Sequence, residues 1–226
     1  MWTKRLVVMV LGLAAGLGLL WAAPKERPKA SLDSVAFHGA YLAVDMVGLG
    51  QWALGDNGQI AVQADVNLYN RFNPCISLGY APFDLTGSSG TRCYGQGFFG
   101  KVGVNVPVST YGPNAEHQFY VGAHYGYSNF DYHLENVQFP ASYWNEAYST
   151  DLMNQHATAH WLSMDLGMRT QIWGPLSLGW CLRIKKRLSV QEAKLSVPAY
   201  IPGYGENNET NYAFSFNLYC LLAFKR

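Results

Sequence analysis

The sequence predicts an all-β chain, an eight-stranded, antiparallel, up-and-down transmembrane β-barrel, and three observations predict it. Eight segments alternate large apolar with small or polar residues, the period of two that gives a strand two unlike faces. The links between them sort by parity: short on one rim, and on the other rim including the two longest, as in outer-membrane barrels. An export signature stands at the N-terminus, and after it no apolar run approaches the ~20 residues of a spanning helix.

The export signature comes first in the chain. Lys4 and Arg5 precede an apolar stretch from Leu6 to Trp21, followed by Ala22-Ala23. A basic start, an apolar middle and small residues read as a signal peptide over 1–23. At roughly 16 residues the stretch falls short of the ~20 needed to cross a bilayer. Residues 24–34, opening with Pro24-Lys25-Glu26-Arg27-Pro28, read as a leader, and 35–226 as the barrel domain. Only 14% of the 226 residues are charged, 15% are aromatic, and the net charge is +1. That balance excludes a nucleic-acid partner, which needs a basic patch, and a disordered chain, which needs charge without bulk.

The strands are expected at about 36–48, 58–69, 75–82, 93–106, 116–130, 158–173, 175–188 and 210–224. The first carries Leu42, Val44 and Met46 opposite Asp45. The second sets Ile60, Val62, Ala64, Val66 and Leu68 against Gln63, Asp65 and Asn67, and the third is short. In the fourth, Phe98, Val102, Val104 and Val106 oppose Lys101, Gly103 and Asn105. In the fifth, Phe119, Val121, Ala123 and Tyr125 oppose His124 and Gly126. The sixth opposes Leu162, Met164, Leu166, Met168 and Ile172 to Ser163, Asp165, Gly167, Arg169 and Gln171. The seventh opposes Leu176, Leu178, Trp180, Leu182 and Ile184 to Ser177, Gly179, Arg183 and Lys185. The eighth alternates from Tyr212 through Phe214, Phe216 and Leu218 to Phe224. Segments 131–157 and 189–209 are then the two long loops. Tyr69, Tyr80, Tyr127, Trp161, Trp173 and Tyr212 near strand ends suit interfacial aromatic belts.

The motif Tyr200-Ile201-Pro202-Gly203-Tyr204-Gly205, with a closing strand that ends Leu221-Leu222-Ala223-Phe224-Lys225, resembles an uncharacterised family of Bacteroidota outer-membrane β-barrel proteins, a domain of unknown function. The resemblance implies a barrel fold and the bacterial outer membrane. It implies no activity and no catalytic residue.

With apolar parity toward lipid, the lumen receives Asp45, Asp65, Lys101, Asp165, Arg169, Arg183 and Lys185. Buried charges persist when paired, so these are expected to form a polar network in a lumen that eight strands leave just wide enough for side chains. Pro202-Gly203 is a type II turn signal. Tyr132, Tyr143, Trp144, Tyr148, Tyr200 and Tyr204 in the long loops are candidates for contact with a surface glycan, lipopolysaccharide or a partner protein. The four cysteines are expected as free thiols, with Cys181 inward, Cys220 outward and the two at similar heights. His156 and His160 would share a metal with Asp151 only if 131–157 ended in a helix.

No catalytic, cofactor or metal site is expected; no Gly-x-Ser-x-Gly, His-Glu-x-x-His or Walker loop occurs. The expected role is structural or surface-binding. Two other readings stay open: a secreted, soluble, lipocalin-like barrel around a small apolar ligand, with the apolar parity inward, and a lipid-modifying outer-membrane enzyme.

Overall fold

The computed structural model describes residues 37–55, 58–69, 71–87, 90–111, 117–139, 148–191 and 196–223. The expected signal peptide and leader, Tyr143, Trp144 and Phe224 lie outside them. In chain order the elements are β1 (Phe37–Asp45), α1 (Met46–Ala53), β2 (Ile60–Leu68), β3 (Asn73–Thr86), β4 (Arg92–Tyr111), β5 (His117–Phe139), β6 (Tyr148–Trp173), β7 (Leu176–Gln191), β8 (Tyr200–Ile201), β9 (Gly205–Glu206) and β10 (Thr210–Ala223). Eight strands close in the order β1-β10-β7-β6-β5-β4-β3-β2, every neighbour antiparallel. β8 and β9 form a separate two-stranded ribbon. The closing seam sets Leu42 opposite Cys220 and Val44 opposite Leu218.

Alternation decides which side each residue faces. Phe98, Val102 and Val106 of β4, Leu162, Met164 and Leu166 of β6, and Leu182 and Ile184 of β7 are exposed on the outer surface. Lys101, Asn105, Asp165, Arg169, Arg183 and Lys185, on the other parity of the same strands, are buried. A lipocalin-like barrel requires the reverse. The outer apolar band runs on β4 from Phe98 to Val108; ten steps of ~3.4 Å at a tilt of roughly 40° give about 26 Å, the height of a bilayer-spanning band. Tyr69, Phe72 and Trp173 edge it on the short-turn rim, and Tyr127 and Tyr212 toward the other, all exposed.

Beyond the band, on the rim opposite the short turns (the distal rim), the polarity of the two faces reverses. β4 and β5 remain paired to Arg92 and Glu135, and β5 and β6 to Phe139 and Tyr148. Most of the expected loop 131–157 is therefore ladder. There the outward residues Asp131 and His156 are polar and exposed, while Phe130, Tyr132, Leu134, Ala157 and Ala159 point inward and are buried. A rule of apolar-outward, polar-inward does not recognise strand in that stretch, because above the bilayer both sides exchange solvents.

Four local expectations are corrected. β1 stops at Asp45, whose carboxylate accepts hydrogen bonds from Val47 N (3.1 Å) and Gly48 N (3.3 Å) and starts α1, so Met46 belongs to a helix. Trp161 belongs to no belt; it is fully buried inside. Met168 keeps its outward parity but is only 3% exposed, flanked in register by Phe119 and Trp180. Cys181 pairs with Ser215 and Cys220 with Leu176, so the two cysteines stand at different heights.

Leu166 sits mid-band and is half exposed. Leu166→Arg is expected to cost about 2–4 kcal/mol in bilayers, the penalty for a cation at midplane. Denaturant unfolding from lipid vesicles checks it, and a cost within about ±0.5 kcal/mol, usual for a water-exposed site, would place Leu166 outside hydrocarbon.

Candidate functional site

The interior is built in two storeys, and the ionic one lies at the level of the outer band. Arg183 grips Asp165 by Nε (3.0 and 2.8 Å) and Nη2 (2.7 Å). The Cys181 thiol adds a donor at 3.4 Å. Arg169 donates to Asp65 Oδ1 at 3.2 Å and to Gln118 Oε1 at 2.8 Å, with its guanidinium 3.9 Å above the Tyr41 ring. Asn73 Nδ2 donates to the same Gln118 oxygen at 3.3 Å. These contacts tie β6 to β1, β2, β3 and β5 across the lumen. The other three predicted network members go elsewhere. Asp45 caps α1 and accepts from Gln59 Nε2 at 3.3 Å. Lys185 donates to the carbonyls of Gly203 (2.8 Å) and Tyr204 (2.9 Å). Lys101 lies 5.9 Å from the Phe99 ring centroid.

A third cluster joins the ionic storey. Cys75 Sγ stands 3.1 Å from His124 Nε2, and His124 Nδ1 3.4 Å from Asp165 Oδ2. His124 fits because its neighbour is Gly103, where a Cβ would come within 2.2 Å of the imidazole Cδ2. The order thiol–imidazole–carboxylate is that of a nucleophilic site. Neither the mouth cavity nor the lumen cavity described below is lined by Cys75.

The distal storey is apolar and holds a plug. Residues 196–209 turn back into the barrel mouth between β7 and β10. Tyr204 N donates to Ile201 O at 3.1 Å and Gly203 has φ +75°, the type II turn that Pro202-Gly203 signals. A Cβ at Gly203 would lie 2.4 Å from Phe99 Cγ, so the turn backbone rests on that ring. Ile201 and Tyr204 are almost fully buried among Phe83, Phe99, Phe130 and Trp161. Trp161 and Tyr204 meet at 5.7 Å between ring centroids, and Phe83 and Tyr200 at 5.3 Å. Polar ties complete the plug. The Tyr132 hydroxyl bonds Ser196 O (2.9 Å) and Oγ (2.7 Å), Asn207 Nδ2 donates to Pro198 O (2.8 Å), and Arg187 Nη1 donates to Asn207 O (3.1 Å). Between the plug, α1 and β10 a mouth cavity of about 570 Å³ is lined by Gln51, Gln59, Tyr200, Asn208, Asn211 and Tyr212, among others, and borders Asp45 and Lys185.

The loop candidates divide accordingly. Tyr132 and Tyr204 are interior residues that hold the plug, not surface contacts, because the distal wall turns apolar side chains inward. Tyr200 is half-buried on Phe83 and borders the mouth cavity. Tyr148 pairs with Phe139 in the ladder. On the outer wall, Arg92 clasps Asp84 (2.9 and 2.6 Å), and Tyr94 stacks on His133 at 5.0 Å. His156 and His160 lie on a strand, not a helix. His156 bonds Asp131 (2.8 Å), His160 bonds Tyr125 (2.5 Å), and Asp151 accepts from Asn136 N (2.8 Å), so the three do not converge. Sequence reasoning missed Phe83, Phe99 and Phe130; their signal was large apolar residues on the lumen parity near the distal ends of three adjacent strands.

A crystal structure of a major outer membrane protein from Thermus thermophilus is similar to this chain at 16% identity and a TM-score of 0.41, over 82% of this chain and 100% of that one. Among curated proteins, none matches. A family model described as Domain of unknown function (DUF6048) matches residues 4–225.

Two outcomes follow from these contacts. Asp165→Ala strands Arg183 in the lumen and is expected to lose about 3–5 kcal/mol, with part of that loss recovered in Asp165→Ala/Arg183→Met. Unfolding in detergent micelles measures both, and an unchanged midpoint for the single variant would remove Asp165 from the network. At the distal rim, the hydrogen bond and charge of Lys186 hold the Glu209 carboxyl below its ordinary 4.5. A depressed folded value stabilises above the ordinary value and is lost as pH falls through the folded one. A carbon-detected titration should place Glu209 below the ordinary 4.5 and move it upward in Lys186→Met; a wild-type midpoint at or above 4.5 would mean the pair does not form.

Proposed function

The chain belongs to the DUF6048 family, and on that premise we propose that it is a signal-targeted, non-conducting barrel of the bacterial outer membrane that presents a recognition surface at its distal mouth. The observation that carries this reading is the plug. Lys185, Tyr132 and the Phe99–Trp161 layer hold residues 196–209 inside the mouth, so a solute meets a closed, lined depression rather than a passage. The exposed apolar band supports residence in a bilayer. Above it, β4, β5 and β6 carry polar and aromatic side chains clear of hydrocarbon, and the mouth cavity has the size of a ligand site. Its amides and tyrosines offer donors, acceptors and ring faces, the chemistry that takes a surface glycan, the sugar portion of lipopolysaccharide or a polar protein loop. The protein acts here by binding and not by catalysis.

Reconstitution tests the reading. In planar bilayers the protein should insert without opening channels, and unheated samples should migrate differently from boiled ones in detergent gels. Binding to a glycan array or to lipopolysaccharide vesicles should fall at least tenfold in Asn211→Ala/Tyr212→Ala. Stable conductance steps, or a protein soluble without detergent, would refute it.

A further inference from the structure

Counted at formal charge, the Asp, Lys and Arg groups of the ionic storey carry one more positive charge than negative. Asp45, Asp65 and Asp165 face Lys101, Arg169, Arg183 and Lys185, all seven at least nine-tenths buried. Arg169 and Arg183 each have a carboxylate partner, and Lys185 has two carbonyls. Lys101 has none: among the described residues no carboxylate lies within 4.0 Å of it, and its ammonium stands 5.9 Å from the Phe99 ring centroid. An ammonium held in this way is costly unless a counter-charge reaches it.

Lys101 borders a small lumen cavity of about 10 Å³, the size that admits one water-sized particle. Around it stand the Arg183 guanidinium, the Ser77 and Ser215 hydroxyls and the Gln63 and Asn217 amides, groups that can each turn a donor toward an anion, with Asn217 Nδ2 also donating to Ser215 Oγ at 3.4 Å. Asp45 also borders it, but its oxygens accept from Val47 N, Gly48 N and Gln59 Nε2 and are turned to the start of α1. We propose that this cavity binds a single monovalent anion of halide size between Lys101 and Arg183. The formal surplus of one sets the valence, and the small volume favours a single-atom anion over sulfate, phosphate or carboxylates. The ion would bring the ionic storey to neutrality, and its binding to the folded barrel alone would couple stability to halide concentration. The inference stands on the lumen geometry and does not depend on what the distal mouth recognises.

Crystals of the detergent-solubilised full chain grown in sodium bromide should give an anomalous peak within hydrogen-bonding distance of Lys101 Nζ. The melting temperature should rise with sodium chloride or bromide and not with sodium gluconate at equal ionic strength, and Lys101→Met should lose that difference. A cavity that holds only water in bromide, or a melting temperature that gluconate raises as much as chloride, would overturn the proposal. If Lys101→Met does not fold, the wild-type bromide map decides alone.

Discussion

The structure depends on one constraint: seven ionic groups must be enclosed in a ring of strands whose outer face tolerates none. Water cannot satisfy them from outside, so the partners come from other strands. Asp165 with Arg183 and Asp65 with Arg169 answer that need, and in doing so they brace the barrel across its lumen. Removing the apolar exterior would leave no reason for charges to be inside. Removing the ion pairs would leave an interior too polar to close.

A second constraint is imposed where the bilayer ends. Beyond the band the walls stand in water on their outer side, and the same parity now directs polar groups outward and rings inward. The apolar rings that result need cover, and residues 196–209 supply it. Lys185 links the two storeys, since it rises from the ionic level and donates to the backbone of the plug turn. The molecule is thus a membrane barrel below and an ordinary water-facing fold above, sharing one set of strands.

This reversal explains what is legible in the sequence and what is not. The eight strands are legible because period 2 survives in β4, β6, β7 and β10 irrespective of solvent. The membrane level is legible too, since Lys101, Asp165 and Arg183 sit on one parity and Val102, Leu166 and Leu182 on the other. A single polarity rule along the full strand length then fails at the distal end. It marks 131–157 as loop, because Tyr132 and Leu134 point inward among polar outward neighbours, and it puts Trp161 in a belt for its place near a strand end. Asp45 reads as a lumen charge without its second use as a helix cap, which a single residue before Val47-Gly48 does not announce. The Pro202-Gly203 turn is legible from its residues alone; that it folds into the barrel requires Phe99 and Trp161 to be placed first. Membership in the DUF6048 family bears out one part of the resemblance carried by that turn and the closing strand, a domain of unknown function.

The most direct measurement is the local environment of single spin labels along β6 in a cysteine-free protein reconstituted in lipid. Labels at 162, 164 and 166 should be relaxed by oxygen and shielded from a water-soluble nickel chelate, as expected in hydrocarbon, while a label at 156 should show the opposite. Strong nickel accessibility at 164 and 166 in the bilayer-reconstituted protein would contradict the account, because it would place the apolar face in water.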